Sequence, residues 1–441
     1  MVKRRRYSEV AVNGEAPSAA PLAGISLLGL PPALLDDVTR WAIQLGAGGA
    51  LSLTCRAFAN TNLLHAPALH IQLDSQRCDQ FLTPRVVAAL QARTCRLALT
   101  LDEQRAQNSR QDIRLLTKVL KKLASCAAVE ACKLTTSKVP PLEPRKRLSC
   151  SPDLVQQLID SFPGLTSLSL HNYAILCGGL ASLLSHPRLS LQLQQLDLSS
   201  TTITQPKRPK PGAATLATLF HASRLKQLSL SINKGFEGAN MSLLPNLQPL
   251  SHQLTQLCIL QEVYVECCLD KFTAALQPLT QLQVLTFSHL CHLGGLPSLL
   301  QALPHLHTLQ LPDATVYGQQ HLDALLAATQ LTSIQLRALE RLTSSSADVP
   351  CSWQRLELTG YVDCATVAHL PLHSLTQPLV LGGLSTQDLV AAAVHNLTQA
   401  CNVPVRVKEL WLDMPHAVKE EKQHVELQQL VAVLQAIKHC S

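Results

Sequence analysis

A leucine motif recurs along most of this chain. The pattern L-x-x-L-x-L, with occasional replacement of leucine by another large apolar residue, occurs nine times between residues 165 and 412. Weaker copies lie at Ile71–Leu73, Leu97–Leu101, Val129–Leu134 and Leu379–Leu381. The copies follow one another at steps of 22 to 36 residues, with a mean of about 28. Because 441 residues exceed what one compact core can hold, this period predicts a repeat array whose units pack against their neighbours.

Each copy predicts a short strand. The alternation of the last two leucines gives the strand one buried face, and the leucine three positions earlier closes the turn that enters it. The segments between copies have helical spacing and provide the crossovers that parallel strands require. These segments are residues 84–93, 113–124, 154–162, 269–276, 322–328, 388–397 and 425–437.

Over residues 66–441 the chain resembles the leucine-rich-repeat family, whose units are about 20 to 29 residues long. The resemblance implies an α/β solenoid of about 13 irregular repeats, with parallel strands on the concave face, helices on the convex face and a C-terminal capping helix. One family feature is mostly absent. The asparagine that usually follows the second strand leucine by three residues, and satisfies buried loop carbonyls, is present once, as Asn233. We therefore expect each turn to satisfy its backbone differently.

The residue between the two paired leucines points away from the core, so we expect it on the concave wall. This row is polar but weakly charged, which favours recognition of a protein surface over an anionic polymer. Trp411 is the best anchor candidate, since tryptophan is enriched at interface hot spots, although a C-terminal helix over residues 420–440 could equally cover it. The predicted partner-binding residues are Ser169, Asp197, Ser229, Cys258, Thr286, Gln310, Gln335, Glu357 and Trp411.

A different pattern precedes the repeats. Residues 1–24 are polar, rich in alanine and proline, and predicted to be disordered. Within residues 25–65, two apolar segments flank a glycine-containing break, and they resemble the F-box pattern L-P-x-x-L-L-x-x-[IV] followed by L-x-L-V-[CS]-[KR]-x-[WF]. The alternative is a helical cap that seals the first repeat. The resemblance implies that an adaptor subunit of a cullin-RING ligase would bind Leu30, Pro31, Leu34, Leu35, Val38, Leu51, Leu53, Cys55 and Phe58.

The sequence offers little for catalysis. It contains no nucleotide-binding, metalloprotease or nucleophile-elbow motif, so we expect no enzyme activity and no cofactor. The 15 cysteines form no C-x-x-C pair and, without an export signal, are expected to be reduced thiols without a metal role. We expect no membrane partner, because no apolar stretch of about 18 residues exists.

The net charge of +7 is concentrated in basic clusters at residues 3–6, 145–147 and 207–210. Since the remainder of the chain is slightly negative, we expect no nucleic-acid partner. Two functions remain open. The combined resemblance implies a cytoplasmic or nuclear substrate-recognition subunit of an SCF-type ubiquitin ligase, which holds an unknown target protein near the ubiquitin-loaded enzyme. The alternative is a non-catalytic scaffold or inhibitor without a link to ubiquitination.

Overall fold

The computed structural model divides into two units, Met1–Ala66 and Pro67–Ser441. In the first unit it describes Val38, which is helical and partly buried, while the predicted tail and the other predicted adaptor-binding residues lie outside the described residues. The predicted C-terminal helix also lies outside them. The described residues are 38, 68–73, 82, 84–92, 95–101, 109–124, 126–136, 152–204, 215, 218–221, 223–232, 246–261, 267–288, 290–340, 351–361, 367, 370–385 and 403–411.

Thirteen strands of the second unit form one parallel sheet, and their spatial order follows their order in the sequence. The predicted leucine-rich-repeat solenoid is thereby confirmed for this unit. The sheet comprises β1 (Ala68–Leu73), β2 (Cys95–Leu101), β3 (Val129–Thr136), β4 (Ser167–Leu176), β5 (Gln195–Thr204), β6 (Gln227–Ile232), β7 (Gln256–Gln261), β9 (Val284–Phe287), β11 (Thr308–Tyr317), β12 (Ser333–Glu340), β13 (Arg355–Tyr361), β14 (Leu379–Ser385) and β15 (Val405–Trp411). Two short strands that the sequence did not indicate, β8 (Cys267–Cys268) and β10 (Leu290–His292), pair separately.

Helices connect many of the strands. They are α1 (Pro84–Ala92), α2 (Ser109–Lys122), α3 (Pro152–Ser161), α4 (Cys177–Ser185), α5 (Pro187–Gln192), α6 (Asp270–Leu276), α7 (Leu296–Ala302) and α8 (Gln319–Ala327), with 3-10 turns at Gln248–Leu250 and Leu372–Ser374. Five of these helices match predicted segments within a few residues. The sequence did not predict α4, α5 and α7. Gly178 and Gly179 lower the intrinsic helix propensity of α4, but its leucines are buried, and this packing outweighs propensity.

The paired leucines of the strands form the core. One continuous cluster of buried apolar side chains runs from Ile71 to Leu381. Helices pack on this leucine face of the sheet, as shown by a small apolar gap that side chains of β3, β4, α3 and α4 line together. The opposite side of the sheet, here named the open face, carries the residues between the paired leucines, and most of these are partly exposed.

Hydrogen bonds at the strand entries are regular. The carbonyl oxygen of Gln194 accepts hydrogen bonds from the backbone N–H groups of both Lys226 (2.8 Å) and Gln227 (2.9 Å), which begin the next strand. The same shared acceptor recurs in successive repeats. This entry ladder holds consecutive strands in register where they start, and it also includes the carbonyls of Thr166, Lys226, Thr255, Gln283, His307, Thr332 and Gln354.

The strand exits are irregular, as expected from the missing asparagines. Thr201 lies within β5, three residues after Leu198, where the family usually has its asparagine. It is fully buried, and its hydroxyl donates a hydrogen bond to the carbonyl oxygen of Leu170. Thr359, in β13, donates to the carbonyl oxygens of Leu336 (3.2 Å) and Pro312. Threonine hydroxyls therefore satisfy backbone carbonyls at exits where the asparagine is missing.

Candidate functional site

Strand register brings most of the predicted partner-binding residues together. Eight of the nine predicted residues lie in one unbroken row on the open face, each paired in register with the next along β4 to β13. Lys133 extends the row at one end and Val380 at the other. The members from Ser169 to Gln335 are all partly exposed. The row was predictable because strand alternation sends every second side chain to the same face.

Trp411 is the exception. Val405 pairs with Leu379 and Arg406 with Val380, so Arg406 continues the row, while Trp411 pairs with Ser385 five residues further along β15. The placement of Trp411 in the row was therefore wrong. Two apolar alternations overlap in this segment, and the sequence alone favoured the later one. The Trp411 side chain lies outside the described residues.

A similar error affected the first two strands. Leu97 pairs with Cys132, and Leu69 pairs with Leu97. The aligned leucine pairs of β1 and β2 therefore begin two residues earlier than the sequence indicated. The apolar alternation of these strands extends over more than two leucine positions. The predicted buried face was therefore right, and only the predicted aligned pair lay two residues too far along each strand.

A polar cluster surrounds Asp197 on the open face. Its Oδ2 accepts hydrogen bonds from Ser169 Oγ (3.0 Å) and His171 Nε2 (3.1 Å) on the neighbouring strand, and its Oδ1 accepts one from the backbone N–H of Ser199 (3.0 Å). The side chain is 37% exposed. Burial opposes ionisation of this carboxyl, but hydrogen bonds from His171 and Ser199 and the charge of His171 hold its pKa well below the usual range. Asp197 is therefore a fixed negative charge.

The sequence identified Asp197 and Ser169 but not His171 and Ser199. Both lie two residues further along their strands, on the same face as the predicted row. The signal that could have found them is the period of two itself, because β4 and β5 continue past their paired leucines.

Cys258 lies two strands from Asp197 in the same row. Burial raises the pKa of its thiol, and the negative charge of Asp197 raises it further, while a hydrogen bond with Ser229 opposes the shift. The thiol is therefore neutral and unreactive at physiological pH. Cys258 is a free cysteine, as is the buried Cys177, whose pKa burial raises to about 11.

Other members of the row also make polar contacts. Thr286 Oγ1 donates to Gln310 Oε1 on the adjacent strand (2.8 Å). Arg355 Nη2 donates to Glu357 Oε2 (3.1 Å), and Glu357 is only 7% exposed. Glu357 therefore offers a partner little surface, in contrast to the other row members.

Three glutamines form a second row on the open face, two residues before the first. Gln195 pairs in register with Gln227, and Gln227 with Gln256. Gln195 and Gln256 are exposed and Gln227 is half-buried. Among the described residues their side-chain amides make no hydrogen bond, so both the donor and the acceptor of each amide remain available.

This arrangement is suited to hydrogen bonding. Within the described ranges, no group of three or more His, Cys, Asp or Glu side chains is placed to hold a metal ion. In the same part of the chain, no helix has the length and hydropathy needed to cross a bilayer. From Ser169 to Gln335 the row offers mainly hydroxyls and amides, together with the partly exposed carboxylate of Asp197.

No protein-family model matches the chain, and no curated protein matches it. Among the solved structures that match are an internalin from Listeria monocytogenes (16% identity, 81% of this chain and 91% of that chain, TM-score 0.38) and the Toll–Spatzle complex of Drosophila (14%, 82% and 52%, TM-score 0.40). A third is the Rad7 and Elc1 complex in yeast (12%, 88% and 89%, TM-score 0.40). The strand order and register of this chain itself define its fold.

Proposed function

We propose that this protein binds a target protein across the open face of its sheet and acts as the substrate-recognition subunit of an SCF-type ubiquitin ligase. The observation that carries the binding part is the unbroken polar row from Lys133 to Glu357, which crosses nine consecutive strands of the sheet. At about 4.8 Å between strands, eight steps span about 38 Å. That length suits a standard protein interface, which buries about 800 Å² on each partner.

The chemistry of the row supports a protein target. Its members are mostly hydroxyls and amides. Among the row positions from β3 to β13 that the structure describes, Lys133 is the only lysine or arginine. A nucleic acid is bound chiefly through Lys and Arg contacts to phosphates, which this row does not provide. Neutral hydrogen-bonding groups instead match the polar groups of a protein surface.

The ligase part of the proposal depends on the resemblance of residues 25–65 to the F-box. In that arrangement an adaptor subunit would bind the apolar positions Leu34, Leu35 and Val38, and other subunits of the complex would perform catalysis. The role of this chain would be to raise the local concentration of the target near the ubiquitin-loaded enzyme.

The decisive experiment is co-purification of the full chain with the adaptor and cullin subunits. The wild-type chain is expected to recover both, and a variant with Leu34→Asp, Leu35→Asp and Val38→Asp is expected to recover neither. Leu191→Asp is the matched control, since Leu191 is a leucine of the second unit that is 62% exposed. If the wild-type chain recovers no adaptor, the ligase part is wrong and the scaffold function replaces it.

A second variant tests the binding part separately. Ser169→Arg and Thr286→Arg place long cationic side chains in the row, where both native side chains are partly exposed. Proteins that bind the wild-type chain through the open face are expected to be lost with this double variant while the adaptor is still recovered. Retention of all partners by a folded double variant would place binding elsewhere.

A further inference from the structure

We propose that the open face over β4 to β9 binds an extended segment of its target and selects one basic side chain of that segment at Asp197. The inference depends on the proposed function and specifies the chemistry of the target. Asp197 supplies the charge, and the glutamine row Gln195, Gln227 and Gln256 supplies hydrogen bonds to the backbone of the bound segment.

Asp197 has the properties of an anchor for a cation. Three donors on β4 and β5 fix the positions of its two oxygens, so little side-chain entropy is lost on binding. The Ser199 hydroxyl also contacts this carboxylate, so an incoming basic side chain is attracted chiefly by the negative charge. With 37% of its side chain exposed, the carboxylate is within reach of a partner yet partly shielded from water, which strengthens its attraction for a cation.

Among the described residues, His171 is the one basic side chain in contact with Asp197. At the described outward positions of β4, β5, β6, β7 and β9, Asp197 is the one carboxylate, and no lysine or arginine is present. Its row neighbours Ser229 and Cys258 are neutral, since the pKa of the thiol is raised. The remaining carboxylate of the row, Glu357, is buried and paired with Arg355. A basic side chain on this part of the face is therefore directed to a single position.

The glutamine row has the geometry to hold a main chain. Gln195 and Gln256 are two strands apart, which is about 9.6 Å, while three residues of an extended chain rise about 10 Å. A segment that crosses the strands can therefore meet both amides with backbone groups three residues apart. Because the amides make no hydrogen bond among the described residues, they can bind a peptide without breaking existing contacts.

The test begins with a random dodecapeptide library displayed on phage and selected against the full wild-type chain. Enriched peptides are expected to share one arginine or lysine, and selection against Asp197→Asn is expected to lose that preference. Asp323→Asn is the matched control, because Asp323 is an exposed carboxylate on α8 that is hydrogen-bonded to Gln319. Failure to enrich any peptide, or enrichment without a basic residue, would overturn the proposal.

A double-mutant cycle then tests whether the basic side chain of the peptide contacts Asp197. The dissociation constant of one selected peptide, made with arginine or with its neutral analogue citrulline, is measured for the wild-type chain and for Asp197→Asn. Either change alone is expected to weaken binding at least about tenfold, and the second change should add little once the first is made. Independent, additive losses would show that the basic side chain does not contact Asp197.

Ser229→Lys is a second variant that tests the site without altering Asp197, in case Asp197→Asn disturbs folding. Ser229 is partly exposed and pairs in register with Asp197, so a lysine there leaves the carboxylate intact and neutralises it from the next strand. This variant is expected to lose the peptide as Asp197→Asn does, with an unchanged circular dichroism spectrum. Normal peptide binding by the folded variant contradicts the proposal. Adaptor recovery is measured in parallel, so that failure of the ligase function and failure of the peptide site are distinguished.

Discussion

At the exit of β5, the hydroxyl of Thr201 takes the place of the family's usual asparagine side chain. Removing this hydroxyl measures how much its hydrogen bond stabilises the strand exit. Register between β4 and β5 shifts after Ser169, and the Thr201 hydroxyl donates to the Leu170 carbonyl within this irregular stretch. Thr201→Val keeps the size and branching of the side chain but removes the donor. Because Thr201 is fully buried, the carbonyl would be left without this partner in an apolar environment, which costs about 1–3 kcal/mol.

Hydrogen exchange followed by mass spectrometry is the suitable assay, because a long repeat array need not unfold in one step. A loss of 1–3 kcal/mol predicts that the amides of β4 and β5 exchange about 5- to 140-fold faster in Thr201→Val. Amides of β11 and β12 are expected to be unaffected, since each repeat contacts only its neighbours.

Thr201→Ser is the control for packing. It retains the hydroxyl and removes one methyl group, which is expected to cost about 0.8 kcal/mol or less. The reasoning fails if Thr201→Val exchanges like the wild-type chain. It also fails if Thr201→Ser is destabilised as much as Thr201→Val, because the methyl contact rather than the hydrogen bond would then be responsible.

Two further predictions follow from local geometry and charge. Gly382→Ala should lower the midpoint of thermal unfolding, since its Cβ would lie 2.1 Å from the Thr359 carbonyl oxygen, whereas Gly178→Ala, with no atom within 4 Å of the added Cβ, should be neutral or stabilising by about 0.5–1 kcal/mol. Because the pKa of Asp197 is lower when folded, its ionisation stabilises the fold above the unfolded pKa near 3.8 and ceases to do so as the pH falls towards the folded pKa. The urea midpoints of wild type and Asp197→Asn should therefore differ at about pH 5 and converge below about pH 4; an unchanged difference down to about pH 3 contradicts this assignment.

The leucine period was sufficient to predict the sheet, because buried leucines at a fixed spacing constrain both strand direction and packing. It was less informative about position along a strand. In β1, β2 and β15 the apolar alternation continues beyond one leucine pair, and only pairing with the next strand determines which pair is aligned. A one-dimensional pattern cannot specify that choice, since a shift by two residues keeps the same face buried.

The candidate site was predictable as a row but not as a set of interactions. Alternation identified Asp197 as outward-facing, but its contact with His171 depends on the neighbouring strand. Alternation also gave Glu357 the same status as the other members of the row, although the structure buries it beside Arg355. Burial and pairing of a surface charge depend on elements distant in the sequence, which the local pattern does not contain.

Because the entry ladder aligns each strand where it begins, the alignment of the sheet does not depend on the number of residues in the connections. Backbone hydrogen bonds align β4 with β3 and β5 with β4 where each strand begins. Yet 15 residues lie between the end of β3 at Thr136 and the start of α3 at Pro152, whereas α4 begins at Cys177, directly after β4 ends at Leu176. Chain length can therefore change after a strand without altering the alignment of the following one. A gene encoding such an array can acquire new surface segments by insertion at these points, and a laboratory can place a reporter or affinity tag there for the same reason.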